Sequence, residues 1–189
     1  HIYINVSVAL EPKSVFGHVT HTLFPLTSKL SSFILHGDDM KIRRIRMGGK
    51  DLKYTHSSNE IHIDLPNPIS WDETVDVRID YIANPREGTY FFGPDDTYPN
   101  QPWQAWTQGE TEDNHHWVPL YDYPNERATF ETILTVDQRF QAVSNGELLS
   151  VEKNKDGTHT WHWKENFPMV AYLISFVVGE FEKVEDSYK

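Results

Sequence analysis

Apolar and polar residues alternate with a period of two along most of the chain, and turn residues interrupt the pattern every few positions. Over residues 2–10, Ile2, Ile4, Val6, Val8 and Leu10 fall on one side and Tyr3, Asn5, Ser7 and Ala9 on the other. Successive side chains of a strand point to opposite faces, so this spacing predicts a half-buried strand. Glu11-Pro12-Lys13 turns the chain, and residues 14–26 predict a second strand with Val15, Gly17, Val19, His21 and Leu23 on one side. Residues 33–35, 42–47, 51–55, 60–65 and 75–82 continue the series, with Gly48-Gly49 as a hairpin signal and Pro66 and Pro68 ending the fourth of these. Further strands are predicted over 90–92, 128–136, 140–143, 147–151 and 158–163, and a last, central one over 170–181, opened by Pro168-Met169. No stretch has helical periodicity with caps. The expectation is one all-β domain spanning residues 1–189, a largely antiparallel meander folded into two or more packed sheets.

Size and charge limit what such a domain does. Its 189 residues suffice for a real core, and its net charge of −11 argues against nucleic acid, because phosphate binding needs clustered Lys and Arg. Cysteine is absent, so disulfides, thiolate metal sites and cysteine nucleophiles are excluded. The most apolar run, residues 169–178, is too short to span a bilayer. Cytoplasmic and exported locations both fit this composition. The chain begins at His1 already in strand pattern, which reads as a piece of a longer protein.

No catalytic constellation is visible. H-E-x-x-H, G-x-S-x-G, a phosphate-binding P-loop and the dinucleotide fingerprint are all missing. His18 and His21, and likewise His159 and His162, would point to opposite faces of a strand, and the adjacent His115 and His116 should diverge. The expectation is no catalytic residue, no metal ligand and no cofactor in this chain.

Residues 103–124, WQAWTQGETEDNHHWVPLYDYP, carry more polar and aromatic specialisation than a sheet needs. If 104–110 is extended, Gln104, Trp106, Gln108 and Glu110 share one face and Trp103, Ala105, Thr107 and Gly109 the other. Gln108 and Glu110 would then lie roughly 6–7 Å apart. A carboxamide beside a carboxylate suits a primary ammonium, which is cationic and donates hydrogen bonds. Gly109 between them would let another backbone approach closely. The competing account is a polar strand end with Glu110 paired to a local Lys or Arg.

Thr107-Gln108-Gly109-Glu110, followed by Trp117-Val118-Pro119-Leu120-Tyr121-Asp122-Tyr123-Pro124, resembles the N-terminal domain of the aminopeptidase N family of zinc metallopeptidases, which includes leukotriene hydrolase. Ser144-Asn145-Gly146, Pro168-Met169 with Tyr172-Leu173, and Val178-Gly179-Glu180-Phe181 match further blocks in the family's order. His115 stands where many members have Arg, Leu120 where many have Cys, and Tyr123 where Glu is common. The resemblance implies a saddle-shaped β-domain preceding a catalytic domain that this chain lacks. Zinc and its H-E-x-x-H ligands would belong to that following domain, so the present chain alone should be inactive. It also implies that Glu110 binds the free α-amino group of a peptide substrate, and that Gln108, with Gly109 between them, lines the pocket for the first side chain. Two other classes of function remain open on the residues. One is a sandwich that binds carbohydrate or protein through Trp103, Trp106, Trp117, Trp161 or Trp163. The other is a catalytically dead homologue used as a scaffold.

Overall fold

The computed structural model describes residues 1–187. The strands are β1 (Ile2–Ala9), β2 (Ser14–Leu23), β3 (Leu30–His36), β4 (Met40–Met47), β5 (Lys50–Asp51), β6 (Lys53–Ser57), β7 (Glu60–Ile69) and β8 (Val75–Ala83). They continue with β9 (Thr89–Phe92), β10 (Gln104–Thr107), β11 (Ala128–Asp137), β12 (Gln141–Ser144), β13 (Glu147–Lys153), β14 (Thr158–Met169) and β15 (Phe176–Gly179). Asn114–His116 and Ala171–Leu173 are single 3-10 turns. No helix among the described residues is long and apolar enough to cross a membrane.

The strands form an eight-stranded sheet, β13-β14-β11-β1-β2-β8-β4-β5, a four-stranded sheet, β12-β15-β10-β9, and a three-stranded sheet, β3-β7-β6. The order corrects the meander expected from sequence. β1 pairs antiparallel with β2 but parallel with β11, Ile2 lying opposite Phe130. Alternation fixes which residues of a strand face inward but says nothing about which distant strand lies beside it. The inward sets of all three sheets meet in one core, with Ile4, Ile63, Ile79, Leu134 and Phe176 at its centre.

Several strand ends differ from expectation: β2 stops at Leu23, and β14 runs on to Met169, so Pro168-Met169 closes it and does not open the last strand. Two of the differences have a clear physical reason. β7 runs through Pro66 and Pro68 to Ile69. Its pairing with β6 stops at Asp64, and its register with β3 slips between Leu30 and Ser32. The prolines therefore sit at exposed positions that a neighbouring ladder does not need, where a missing N–H costs little. The predicted strand over 170–181 is instead a 3-10 turn followed by β15, which is central in its sheet as expected. An unbroken apolar run has no period, so it could not show the turn.

His21 links fold to pH. It faces inward from β2, 2% exposed, with Nε2 donating to the carbonyl oxygen of Pro119 at 2.8 Å. Burial pushes its pKa down to about 4, against a smaller opposing pull from that carbonyl. A histidine held neutral in the fold contributes stability that is complete above its unfolded pKa and drains away as pH falls toward the folded value. Burial lowers His18 and His36 in the same direction. The expected result is a loss of about 2 kcal/mol from His21 between about pH 7.5 and about pH 5, read from urea midpoints. In His21→Gln that part of the pH dependence should vanish.

Candidate functional site

Residues 103–124 include β10, an inner strand of the four-stranded sheet, and then run back beside β3, where Leu120 pairs with His36. Regular pairing with β9 ends at Thr107, opposite Thr89. The strand therefore does not continue through Gln108 and Glu110, which corrects the extended geometry expected for 104–110. Beyond it, the Gln108 N–H donates to the Gly88 carbonyl at 3.0 Å, and Gly109 accepts from the Asp113 N–H at 3.0 Å. The in-out alternation nonetheless survives: Ala105 and Gly109 are buried while Gln108 and Glu110 are exposed. Neither of those two side chains makes a hydrogen bond or ion pair with any described residue. Among the described residues, neither has the local Lys or Arg partner that a mere polar strand end would need.

The base of this loop is fastened by Asn114, which is 0% exposed. Its Nδ2 donates to the carbonyls of Ala171 at 2.7 Å and Ile174 at 2.9 Å, while Oδ1 accepts from the Trp117 indole Nε1 at 2.7 Å. The indole can only donate and the carbonyls can only accept, so the amide orientation is fixed. One side chain thus joins the loop to the 3-10 turn that interrupts the last apolar run. Gly109 lies on the same amide: a Cβ there would meet the Asn114 side chain at 2.5 Å. Its small size serves that contact.

The aromatic-proline run behind the loop is structural. Trp117, Val118 and Leu120 are 0% exposed, and Trp117 packs edge-on against Phe176 at 5.1 Å. His36 and Leu120 exchange backbone hydrogen bonds at 2.7 and 3.0 Å. Asp122 accepts from both the backbone N–H and Nδ1 of His115 at 2.9 Å. Burial works against charge on His115, but Asp122 outweighs it and raises the imidazole pKa. The departures from the family pattern are thereby accounted for. His115 gives Asp122 two hydrogen bonds, Leu120 fills the core, and Tyr123 stands exposed with its ring against His36 at 4.6 Å.

His115 and His116 do not diverge. The 3-10 turn sets successive side chains about 120° apart, not the opposite faces of a strand, and the rings stack with centroids 4.6 Å apart. They serve different carboxylates, since His116 Nδ1 meets Asp39 at 2.9 Å. The fold also gathers two groups that no sequence spacing revealed, Asp38 with Asp39 and His116, and Glu87 with Asp113 and His116. His18 and His162 belong to the eight-stranded sheet, one stacked on Tyr3 and the other bonded to Glu131. Of the tryptophans considered as stacking platforms, Trp117 is buried and Trp103, Trp106, Trp161 and Trp163 are partly so. Trp106 is packed against Tyr90 and Phe92. The one fully presented indole, Trp71 at 68% exposed, lies elsewhere, between β7 and β8.

The chain belongs to the peptidase M1 N-terminal domain family, whose sequence pattern matches residues 1–173. It is 24% identical over 193 residues to leukotriene A-4 hydrolase of Xenopus laevis, covering 96% of this chain and 31% of that protein. It is also 24% identical over 226 residues to transcription initiation factor TFIID subunit 2 of Danio rerio, covering 96% of this chain and 19% of that protein. Among solved structures, an M1 zinc metallopeptidase of Deinococcus radiodurans, crystallised as a mutant with a Tyr-Ser-Ala substrate, superposes with a TM-score of 0.82. That match has 20% identity and covers 95% of this chain and 41% of the other. The chain thus spans a third or less of the length of these curated relatives.

Proposed function

We propose that this chain is the amino-terminal domain of a zinc aminopeptidase that removes N-terminal amino acids from peptides, and that residues 1–189 form one domain contributing the amine anchor of its site. Glu110 binds the substrate α-ammonium. Gln108 lines the pocket for the first side chain, and Gly109 keeps the loop seated on Asn114. The observation that carries this reading is a rigidly based loop presenting an unpaired carboxamide and carboxylate to solvent. An exopeptidase must measure from a free amine to the scissile carbonyl, and a fixed carboxylate makes that measurement. The zinc-binding H-E-x-x-H is not among these residues, so no metal step is assigned to them. The following catalytic domain and the peptide amino terminus are the partners in this reading, and the chain by itself does not hydrolyse aminoacyl substrates.

The test is made in the whole enzyme. Glu110→Gln should lower kcat/KM for free peptides by roughly two orders of magnitude, ~2–3 kcal/mol, while N-acetylated peptides change little. Unchanged discrimination between free and blocked amino termini would remove Glu110 as the anchor.

The similarity to a transcription initiation factor subunit favours a second reading, a domain that acts as a scaffold for protein assembly. Sequencing the parent gene separates the two: an intact H-E-x-x-H in the following domain rejects the scaffold.

A further inference from the structure

We propose that Glu87, Asp113 and His116 form a binding site for a divalent transition-metal cation, one that clasps the Gln108-to-Asp113 loop to the turn before β9. This does not depend on the peptidase reading. One donor atom from each residue lies within 4.8 Å of the other two. His116 is only 7% exposed, and its two ring nitrogens are in different situations. Nδ1 faces Asp39 Oδ2 at 2.9 Å. A carboxylate can only accept, so Nδ1 carries the proton of that bond. In the neutral ring this leaves Nε2 as a lone pair, and it has no hydrogen-bond partner among the described residues. The nearest charged group is Glu87 Oε2 at 3.7 Å, beyond hydrogen-bond range.

One ring nitrogen of a largely buried imidazole and two carboxylates therefore converge without a hydrogen bond among them. Neither Glu87 nor Asp113 pairs with a Lys or Arg among the described residues. The other group, Asp38, Asp39 and His116, is satisfied internally. Asp39 already accepts the Arg86 backbone N–H at 2.9 Å and the Arg86 guanidinium. Its bond to Nδ1 instead gives the carboxylate–histidine arrangement that orients a metal-binding imidazole from behind. One imidazole with two carboxylates suits Zn²⁺ or Mn²⁺, whereas Ca²⁺ and Mg²⁺ favour all-oxygen sets. Metal bonds of about 2.0–2.2 Å need the donors closer together than they stand. Glu87, 68% exposed in its side chain, is free to swing inward. The two segments are already in contact, since Gly88 accepts the Gln108 N–H and its Cα lies against the Asp113 carbonyl, where a Cβ would come within 2.0 Å.

The experiment titrates the 189-residue chain with ZnCl2 and with MnCl2 by calorimetry, with CaCl2 and MgCl2 as comparisons. Expected is one saturable equivalent of Zn²⁺, weakened at least tenfold in Glu87→Gln and in Asp113→Asn, both of which keep the fold by far-ultraviolet circular dichroism. Mn²⁺ should broaden amide resonances selectively at residues 86–88 and 108–117. Absence of saturable Zn²⁺ binding overturns the proposal, and so does binding that both substitutions leave unchanged, which would place the metal on other histidines. Persistence of a doubly protonated His116 bridging Asp39 and Glu87 in the presence of excess Zn²⁺, read from imidazole ¹⁵N shifts, overturns it as well.

Discussion

Asn114→Ala lowers the stability of the chain by ~3–5 kcal/mol. The substitution removes one amide and orphans two buried groups, the Ile174 carbonyl and the Trp117 indole N–H, while the Ala171 carbonyl keeps only the Ile174 N–H. Each such group costs about 1–3 kcal/mol when left without a partner, and the cavity adds to the sum. Against a typical folding free energy of about 5–15 kcal/mol this is a large fraction. Equilibrium urea denaturation measures it. Asn114→Asp should be no better, because a carboxylate would face two carbonyl oxygens and keep only the indole bond. A loss below about 1 kcal/mol would mean that Asn114 does not fasten the loop. In the aminopeptidase proposed above, the same change should raise KM as well, since the loop bearing Gln108 and Glu110 loses its base.

Gly17→Ala should cost at least ~4 kcal/mol, for a backbone reason. Gly17 lies mid-strand in β2, between Val6 of β1 and Tyr81 of β8. Its φ of +151° is a region that L side chains rarely adopt, and a Cβ would stand 2.2 Å from the Asn5 carbonyl oxygen and 2.8 Å from the Val6 Cα. Those contacts are backbone in the middle of the largest sheet, so no side chain can move to relieve them. Gly157→Ala is the control. Its φ is +85° but nothing lies within 4 Å of its would-be Cβ, so it should cost only about 1 kcal/mol of conformational strain. Similar urea midpoints for the two variants would show that the close approach at Gly17 is unimportant.

The sequence revealed whatever depends on neighbours two residues apart. Ile2, Ile4, Val6 and Val8 alternate and are buried, and Gly109 and Glu110 fall on the inner and outer sides as the spacing requires. What it concealed depends on chain partners far away. The parallel contact of β1 with β11 joins residues more than a hundred apart, and no local pattern encodes it. Asn114 is one polar residue among several in an acidic stretch, and only the folded chain shows that the carbonyls of Ala171 and Ile174 converge on it. The strand rule that separates His115 from His116 does not hold in the 3-10 turn that brings their rings together. Gln108 and Glu110 were found by side-chain chemistry and by resemblance. The structure adds that both are exposed and unpaired on a loop tied down from behind.

A crystal structure of the whole enzyme with a peptide or an amine-bearing inhibitor tests the central claim most directly. The account predicts a Glu110 carboxylate oxygen at about 2.7–3.2 Å from the ligand's terminal nitrogen, with Gln108 beside the first side chain. A ligand amine held entirely by other residues, with Glu110 turned to solvent, would contradict it.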